Sequence, residues 1–435
     1  RKPAPPLPPP IPATPRKANP IRWRDEWTQL RTLLRRSFIS KLRNRGNLII
    51  TVLVPPALAL VTGWALYFTD DASGRYDFAS AFHIPTYIFI ALLVALFLAL
   101  MNSVDDIIRD RVVLNRERNL DVRMPYYIFS KFITLTLFSA VQCALFVVVG
   151  NHILEIRGMF WPYFAFMLVT ATSGTSLGLF ISSFVADSKT AANFVPLVLI
   201  PQLIFGGALI KYEEMNRDLD LRYTFTSWFS RHPEISSANR NDAALTVPFI
   251  SRFVATHYSY EALIVAQAKL NPLSIRQDRI LKQMDQLVSR RDLTPAEMTR
   301  LDDLKDTLAL LSGLDCGSEA DVVKRLRRVD GIINGKPLDT GGLRSRLVGV
   351  TAERLYTNQK VTDLVSKAEA EQDDYRRYEK NEKVHVNVFF GPVKHYLGVT
   401  MSVFTWNTNV LVLTSLAQMV LIYLILKRQL RPRRL

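Results

Sequence analysis

The sequence is poor in cysteine, with Cys143 and Cys316 the only two in 435 residues. A disulfide framework is therefore excluded. Cys143 lies in an apolar run and Cys316 in a polar region, so they are not expected to pair. Cys316 is left as a free thiol or as the partner of its own copy in a dimer. The six histidines are scattered, without His-Glu-x-x-His and without a cysteine pair, which excludes the usual zinc patterns. Asn-x-Ser/Thr sequons are absent, which favours a bacterial origin for a chain with a large outer region. The run Asp330-Gly-Ile-Ile-Asn-Gly-Lys336 lacks the first glycine of a phosphate loop and the hydroxyl residue after the lysine. No convergent set of polar residues for a hydrolase or synthase is found, so no catalytic, cofactor or metal site is expected in this chain.

Acidic charge is also scarce: 39 Asp and Glu stand against 55 Lys and Arg, a net +16. The excess has a location. Residues 211–400 carry 29 basic and 27 acidic residues, whereas residues 1–46 carry 12 and two. The C-terminal tail adds Lys427, Arg428, Arg431, Arg433 and Arg434. Basic residues beside apolar spans mark the cytoplasmic side of a membrane. The charge is therefore read as topology and no nucleic-acid partner is expected.

What the chain has in abundance is long apolar runs, at 47–68, 83–101, 132–150, 160–185, 191–210 and 403–426. Each is close to the roughly 20 residues that a helix needs to cross a bilayer. The expected fold is an all-α polytopic membrane protein: six transmembrane helices, an N-terminal amphipathic connecting helix, and a mainly α-helical extracytoplasmic insertion between spans five and six. Six spans put both termini in the cytoplasm. Segments 102–131 and 186–190 join them there, while 69–82, 151–159 and 211–400 lie outside.

The organisation follows. Residues 1–20 hold nine prolines and form a stiff linker from a missing upstream domain, with an SH3-type ligand as the bland alternative. Arg1 in place of Met is read as the start of a segment inside a longer polypeptide. Residues 21–46 place Trp23, Trp27, Leu30, Leu34 and Phe38 near one face, with Arg24, Arg31, Arg35 and Lys41 elsewhere, the pattern of a helix in the headgroup plane. Spans one to five occupy 47–210, the extracytoplasmic domain 211–402, and the sixth span with its basic tail 403–435. Pro55-Pro56 is expected to bend span one. The small and hydroxyl residues of 170–178 are read as a packing face. Pro196, Pro201, Gly206 and Gly207 predict irregular backbone in span five and an apolar gate at Leu203, Phe205 and Leu209. In the outer region, Thr294-Pro295-Ala296-Glu297 is a capping box, a helix begins near Ser318, and another covers roughly 351–383.

Segment 102–131 is the most telling. It is highly charged yet wedged between two spans, and Ile107, Ile108, Val112, Val113 and Leu114 recur at helical spacing. It reads as a short amphipathic helix on the cytoplasmic face, placed to touch a soluble partner.

Three ordered motifs carry a resemblance. The first is Ile107-Ile-Arg-Asp-Arg-Val-Val-Leu-Asn-Arg-Glu-Arg118, followed by Tyr126-Tyr127 and Ser130-Lys131. The second is Gly178-Leu-Phe-Ile-Ser-Ser183, leading through Ala186-Asp187 to Pro196 and Phe205-Gly206-Gly207. The third is Tyr258-Ser-Tyr-Glu-Ala-Leu263. Together they resemble the permease half of the G subfamily (White type) of ATP-binding-cassette exporters, over 21–267 and 389–428. The resemblance implies a homodimer around a central cavity, each copy served by a cytoplasmic ABC ATPase domain that holds ATP and magnesium. It implies coupling to that ATPase through Asp105, Asp110, Arg116, Glu117 and Arg118. It implies a substrate path along Phe97, Leu98, Met101, Asn102, Ile200, Leu203, Phe205, Ala208 and Leu209. Ala208 departs from the leucine pair that closes the cavity in many relatives. The third motif looks like the family's re-entrant stretch, and the insertion at about 270–387 has no counterpart in compact members.

The resulting expectation is a multi-pass plasma-membrane permease, in a bacterial inner membrane, that exports a lipidic or amphipathic substrate and meets membrane lipid. The alternative is an ATPase-driven mechanotransmission protein that acts on cell-envelope partners without passing a substrate.

Overall fold

The computed structural model describes residues 23–67, 69, 76–117, 123–215, 247–290, 294–312, 315–316, 319–335, 350–378, 388–396 and 399–429. The proline-rich segment 1–20, Arg118 and the arginines of the tail beyond 429 lie outside the described residues.

The chain begins with α1 (Trp23–Arg43) and continues through α2 (Arg45–Ala65), α3 (Ile84–Ser103), α4 (Asp106–Glu117), α5 (Met124–Ile153), α6 (Phe160–Phe184) and α7 (Ser188–Ile204). After a 3₁₀ turn at Tyr212–Glu214 and another at Phe249–Phe253 comes α8 (Ala255–Lys269). The insertion adds α9 (Pro272–Val288), α10 (Pro295–Ser312), β1 (Asp315–Cys316), α11 (Glu319–Ile333), β2 (Val350–Thr351), α12 (Ala352–Tyr356) and α13 (Gln359–Tyr378). The hairpin β3 (Val393–Tyr396) and β4 (Val399–Ser402) then leads into α14 (Val403–Gln429).

Five of these helices are long and apolar enough to cross a membrane: Leu48–Ala65, Ile84–Arg111, Met124–Ile153, Phe160–Phe184 and Val403–Gln429. The remaining expected span, 191–210, is a helix of only 17 residues, α7. It starts early because Asp187 caps it, accepting from Thr190 N–H at 3.0 Å and from the Thr190 hydroxyl at 2.8 Å. Those bonds hold the Asp187 carboxyl below its ordinary range. It stops at Ile204, three residues after Pro201 and just ahead of Gly206-Gly207. Gly206 is pressed onto the Phe89 ring, where a Cβ would also lie 2.8 Å from Gln202 O, and Gly207 takes φ +84°. The irregular backbone expected in this segment is present, and Gly206 is a packing position against Phe89.

The core is a layered contact of α3, α5, α6 and α8, with Tyr87, Leu92, Phe146 and Tyr163 fully buried. The closest crossing is α3 on α6. A Cβ at Gly174 would stand 2.7 Å from Leu96 O, and one at Gly178 would stand 2.9 Å from Leu100 O. The small residues of 170–178 thus let two backbones meet, as expected of a small-residue face. Buried Ser173 and Thr175 lie on either side of Gly174, and Ser176 turns to α14, where its hydroxyl donates to Gln418 Oε1 at 2.5 Å.

The insertion, expected to be mainly α-helical, adds two details to that expectation. It contains two short antiparallel ladders, β1 with β2 and β3 with β4, whose two- to four-residue strands give too little alternation to be read. The helix expected over about 351–383 is broken at Thr357-Asn358. Asn358 has a tertiary duty there: its Nδ2 donates to Phe78 O (2.7 Å) and Ala81 O (2.8 Å), and its Oδ1 caps Val361 N–H at 3.1 Å. This fastens the insertion to the loop before α3, at the end of the span bundle opposite α4. The expected capping box holds: Thr294 N–H donates to Glu297 Oε2 at 2.9 Å, and Glu297 N–H donates to Thr294 Oγ1 at 3.4 Å. Asp330, rejected above as part of a phosphate loop, instead receives both arms of Arg276 at 2.9 and 2.7 Å.

Candidate coupling site

Helix α4 is built from both ends of the segment that encodes it. The turn at Val104-Asp105 sets it off from α3, so its first amides have no partner in their own helix. They find one on α6: Ser182 Oγ accepts from Ile107 N–H (3.0 Å) and Ile108 N–H (3.2 Å). Arg111 repays the contact in the other direction, donating to Ser182 O at 3.1 Å and Ser183 O at 3.0 Å, the orphan carbonyls that end α6. Gln429 at the end of α14 donates to the same Ser183 O at 3.1 Å. Ile107 and Leu114 pack beneath α4 among Tyr127, Leu135, Leu179 and Ile422. Ile107, Ile108 and Leu114 thus face spans, and a polar cap on another helix fixes where the helix begins.

The charge on the buried side is organised around Asp106. Its carboxylate lies 2.8 Å from Lys41 Nζ of α1 and 3.0 Å from Lys131 Nζ of α5, with its side chain 7% exposed. Lys131 also reaches Asp110 at 2.8 Å, and the Tyr127 hydroxyl donates to Asp110 Oδ2 at 3.1 Å. Two ammonium groups face two carboxylates, so the cluster is neutral and each desolvated charge has a partner, the condition under which buried ions are tolerated. Lys41 further donates to Asn102 O at 3.2 Å, and Asn102 Nδ2 donates to Gln142 Oε1 at 2.9 Å. At its other end α1 is held by Glu26, which pairs with Arg123 and accepts from the Tyr126 hydroxyl at 2.9 Å. Phe38 meets Phe138 with ring centroids 5.8 Å apart. Helices α1, α4, α5 and α6 are therefore bound together at one end of the bundle.

The expected coupling residues fall differently within this arrangement. Asp110 is in the cluster. Asp105, in the turn before α4, pairs with Arg109 of α4 at 2.6 Å, with Arg109 61% exposed. Helix α4 extends through Arg116 and Glu117, whose side chains, like Arg118, lie outside the described residues. Asp106, Lys41, Lys131, Arg111 and Ser182 are not among the expected site residues, although Arg111, Lys131 and Ser182 stand inside the motifs. The adjacent acids Asp105-Asp106 differ by 100° around a helix, so only a partner on another helix could tell which one turns inward.

The expected path residues divide into two groups. Met101, Ile200 and Leu209 are exposed, at 44%, 55% and 63%. Leu98 lines a small cavity with Ser139, Gln142 and Met167. Phe97 packs with Leu100 and Val195, and Leu203 and Ala208 pack on the main core. Phe205 accepts at its carbonyl from the Tyr212 hydroxyl, 2.9 Å away. Asn102 is engaged with Gln142 and Lys41. These nine positions do not converge on one cavity within a single copy of the chain.

At the opposite end, the Tyr258–Leu263 stretch lies in the buried helix α8. Its Glu261, 2% exposed, pairs with Lys394 of β3 and accepts from Asn407 Nδ2 of α14 (2.8 Å) and Phe390 N–H (3.1 Å). Lys394 also donates to Val388 O at 2.7 Å. Thr256 bonds Gln202 of α7 through N–H to Oε1 (3.1 Å) and through Oγ1 to the Gln202 carbonyl (2.7 Å). Among the described residues no group of three or more His, Cys, Asp or Glu is placed to hold a metal ion.

Residues 28–229 match the family model described as ABC-2 type transporter. The match runs from α1 past α7 and leaves α8, the later helices of the insertion and α14 outside it. No curated protein matches the chain.

Proposed function

We propose that this chain, whose residues 28–229 match the ABC-2 type transporter family model, is the permease half of a G-subfamily ATP-binding-cassette exporter that moves a lipidic or amphipathic substrate out of the cytoplasm or inner leaflet. Two copies would enclose the path. Each would be driven by a cytoplasmic ABC ATPase domain, expected upstream in the full polypeptide, which binds ATP and magnesium and carries all of the catalysis. In this reading α7 serves as the fifth of six spans, both termini are cytoplasmic, the insertion is extracytoplasmic, and the membrane is a bacterial inner membrane.

The observation that supports this best is the fastening of α4. Hydrolysis moves a substrate only if motion at the ATPase reaches the spans, and α4 is bonded to α5, α6 and α1. The exposed Met101, Ile200 and Leu209 lie on α3 and around α7, where a second copy would close the path that one copy leaves open. The test is the full polypeptide reconstituted in vesicles, with ATPase rate and lipid translocation measured across lipid classes. ATPase activity stimulated by a lipid that is also translocated supports export.

A second reading is favoured by the insertion. Asn358 on the 78–81 loop, Arg354 with Asp77 at 3.3 Å, and Lys269 with Glu369 at 2.8 Å tie it to the bundle at several points. Such a domain would transmit motion to cell-envelope partners without passing a substrate. ATPase-dependent movement of the insertion with no translocated lipid would favour that reading.

A further inference from the structure

We propose that the outward face of α1 is a binding surface for the headgroups of anionic phospholipids. The helix has two unlike sides. The inward side carries Leu30, Ser37 and Lys41, all engaged with the bundle. The outward side alternates exposed apolar and basic residues: Trp27 at 68%, Ile39 at 48% and Leu42 at 41% exposure, with Arg31, Arg35 and Arg43 exposed among them and Arg45 exposed at the start of α2. Among the described side chains of α1 the acid is Glu26, and it is turned away onto Arg123 and Tyr126. The outward face therefore presents cations with no described carboxylate to neutralise them.

A soluble helix would not expose Trp27, Ile39 and Leu42 on the face that also carries its arginines. A helix seated at the boundary of acyl chains and phosphates would, because the rings and branched chains enter the hydrocarbon edge while the guanidinium groups meet phosphate. The apolar helix α2 follows at once, so α1 sits at the level where a span leaves the bilayer. Lys427 and Arg428 at the end of α14 are exposed at the same end of the bundle, which extends the positive surface. The surface is also connected inward: Lys41, on the opposite side of the same helix, holds Asp106 of α4. Headgroups gripping α1 thus fix one wall of the cluster that holds α4. The proposal does not depend on export, since a mechanotransmission protein would use the same surface.

The test compares lipid retention. The full chain, purified in detergent and equilibrated with equal amounts of phosphatidylglycerol and phosphatidylethanolamine, is examined by native mass spectrometry. Wild-type protein should retain phosphatidylglycerol in excess, and the excess should shrink as salt is raised. Changing Arg31, Arg35, Arg43 and Arg45 to Gln should abolish most of that excess, by up to about fivefold per removed charge. The control removes four exposed cations of the insertion, Arg279, Lys282, Lys324 and Arg327, and should leave the excess intact. Thermal unfolding of both variants, expected to match wild type, confirms that they fold. Unchanged retention in the α1 variant, equal loss in the control, or no preference in wild type would overturn the proposal.

Discussion

The two ends of the span bundle each hold a buried ionic cluster, and the two are built on opposite plans. At the α8 end a single carboxylate, Glu261, meets a single ammonium, Lys394, and the remaining bonds go to Asn407 and to backbone groups. Both side chains are at most 5% exposed. At the α4 end two carboxylates share two ammonium groups, and the edges reach solvent, with Asp110 at 31% and Lys41 at 16% exposure. The first plan has one arrangement and fixes α8, the β3–β4 hairpin and α14 together. The second can exchange partners without stranding a charge, because Lys131 already touches both acids. A fixed joint and an exchangeable joint at opposite ends are what a bundle needs if one end receives motion and the other anchors it.

The comparison predicts unequal penalties. Lys394→Met strands Glu261 without its cation and should cost about 3–5 kcal/mol, the usual penalty for removing one member of a buried pair. Detergent-phase thermal unfolding reads it, and Glu261→Gln added to Lys394→Met should recover most of the loss. A single variant as stable as wild type would break the contrast between the ends. At the α4 end Asp106→Asn leaves Lys41 and Lys131 facing only Asp110 and should cost less, about 2–3 kcal/mol, because the solvated edge relieves part of the charge. Lys41→Met, which leaves Asp106 paired with Lys131, should cost less again.

Two further substitutions sharpen what joins the ends. Gly178→Ala drives a methyl group between α6 and the Leu100 carbonyl of α3, for an expected loss of about 1–3 kcal/mol in the same unfolding assay. Asn358→Ala removes two donors and a helix cap and should cost about 1–2 kcal/mol. Hydrogen exchange should show the loss confined to α12, α13 and the 78–81 loop, and a global loss would mean that the insertion is part of the bundle's fold.

The smallest expected effect is one of pH. Hydrogen bonds from Thr294, with Arg290 nearby, hold the Glu297 carboxyl below its ordinary value of about 4.5. A carboxyl lowered by folding stabilises the folded state above its unfolded value, and that contribution is lost as pH falls through the folded one. Thr294→Ala should therefore leave the insertion's melting temperature more nearly independent of pH below about 4.5, with no change in pH response near neutrality.

What the sequence disclosed follows from the range of the forces involved. Spans α2, α3, α5, α6 and α14 were legible because a bilayer demands a long, contiguous apolar run. The cap at Thr294 was legible because its partners are three residues apart. The end of α7 was only half legible: its prolines and glycines announced irregular backbone, but not that Gly206 faces Phe89 and is closed by packing. The break at Asn358 and the Asp106 and Glu261 clusters were not legible. Their long-range bonds join residues from 17 to 280 positions apart, and the choice between neighbours such as Asp105 and Asp106 is made by a helix elsewhere in the chain.

The central claim is that α4 is fastened to the spans through Asp106, so that motion imposed at α4 reaches the far end of the bundle. The most direct test places a spin label at Leu209, exposed at 63%, in a full polypeptide whose Cys143 and Cys316 are replaced by Ala, and measures the label-to-label distance between two copies with and without trapped ATP. The account predicts a nucleotide-dependent change in that distance, and its loss in Asp106→Asn while ATP hydrolysis persists. An unaltered distance change in folded Asp106→Asn protein would contradict it.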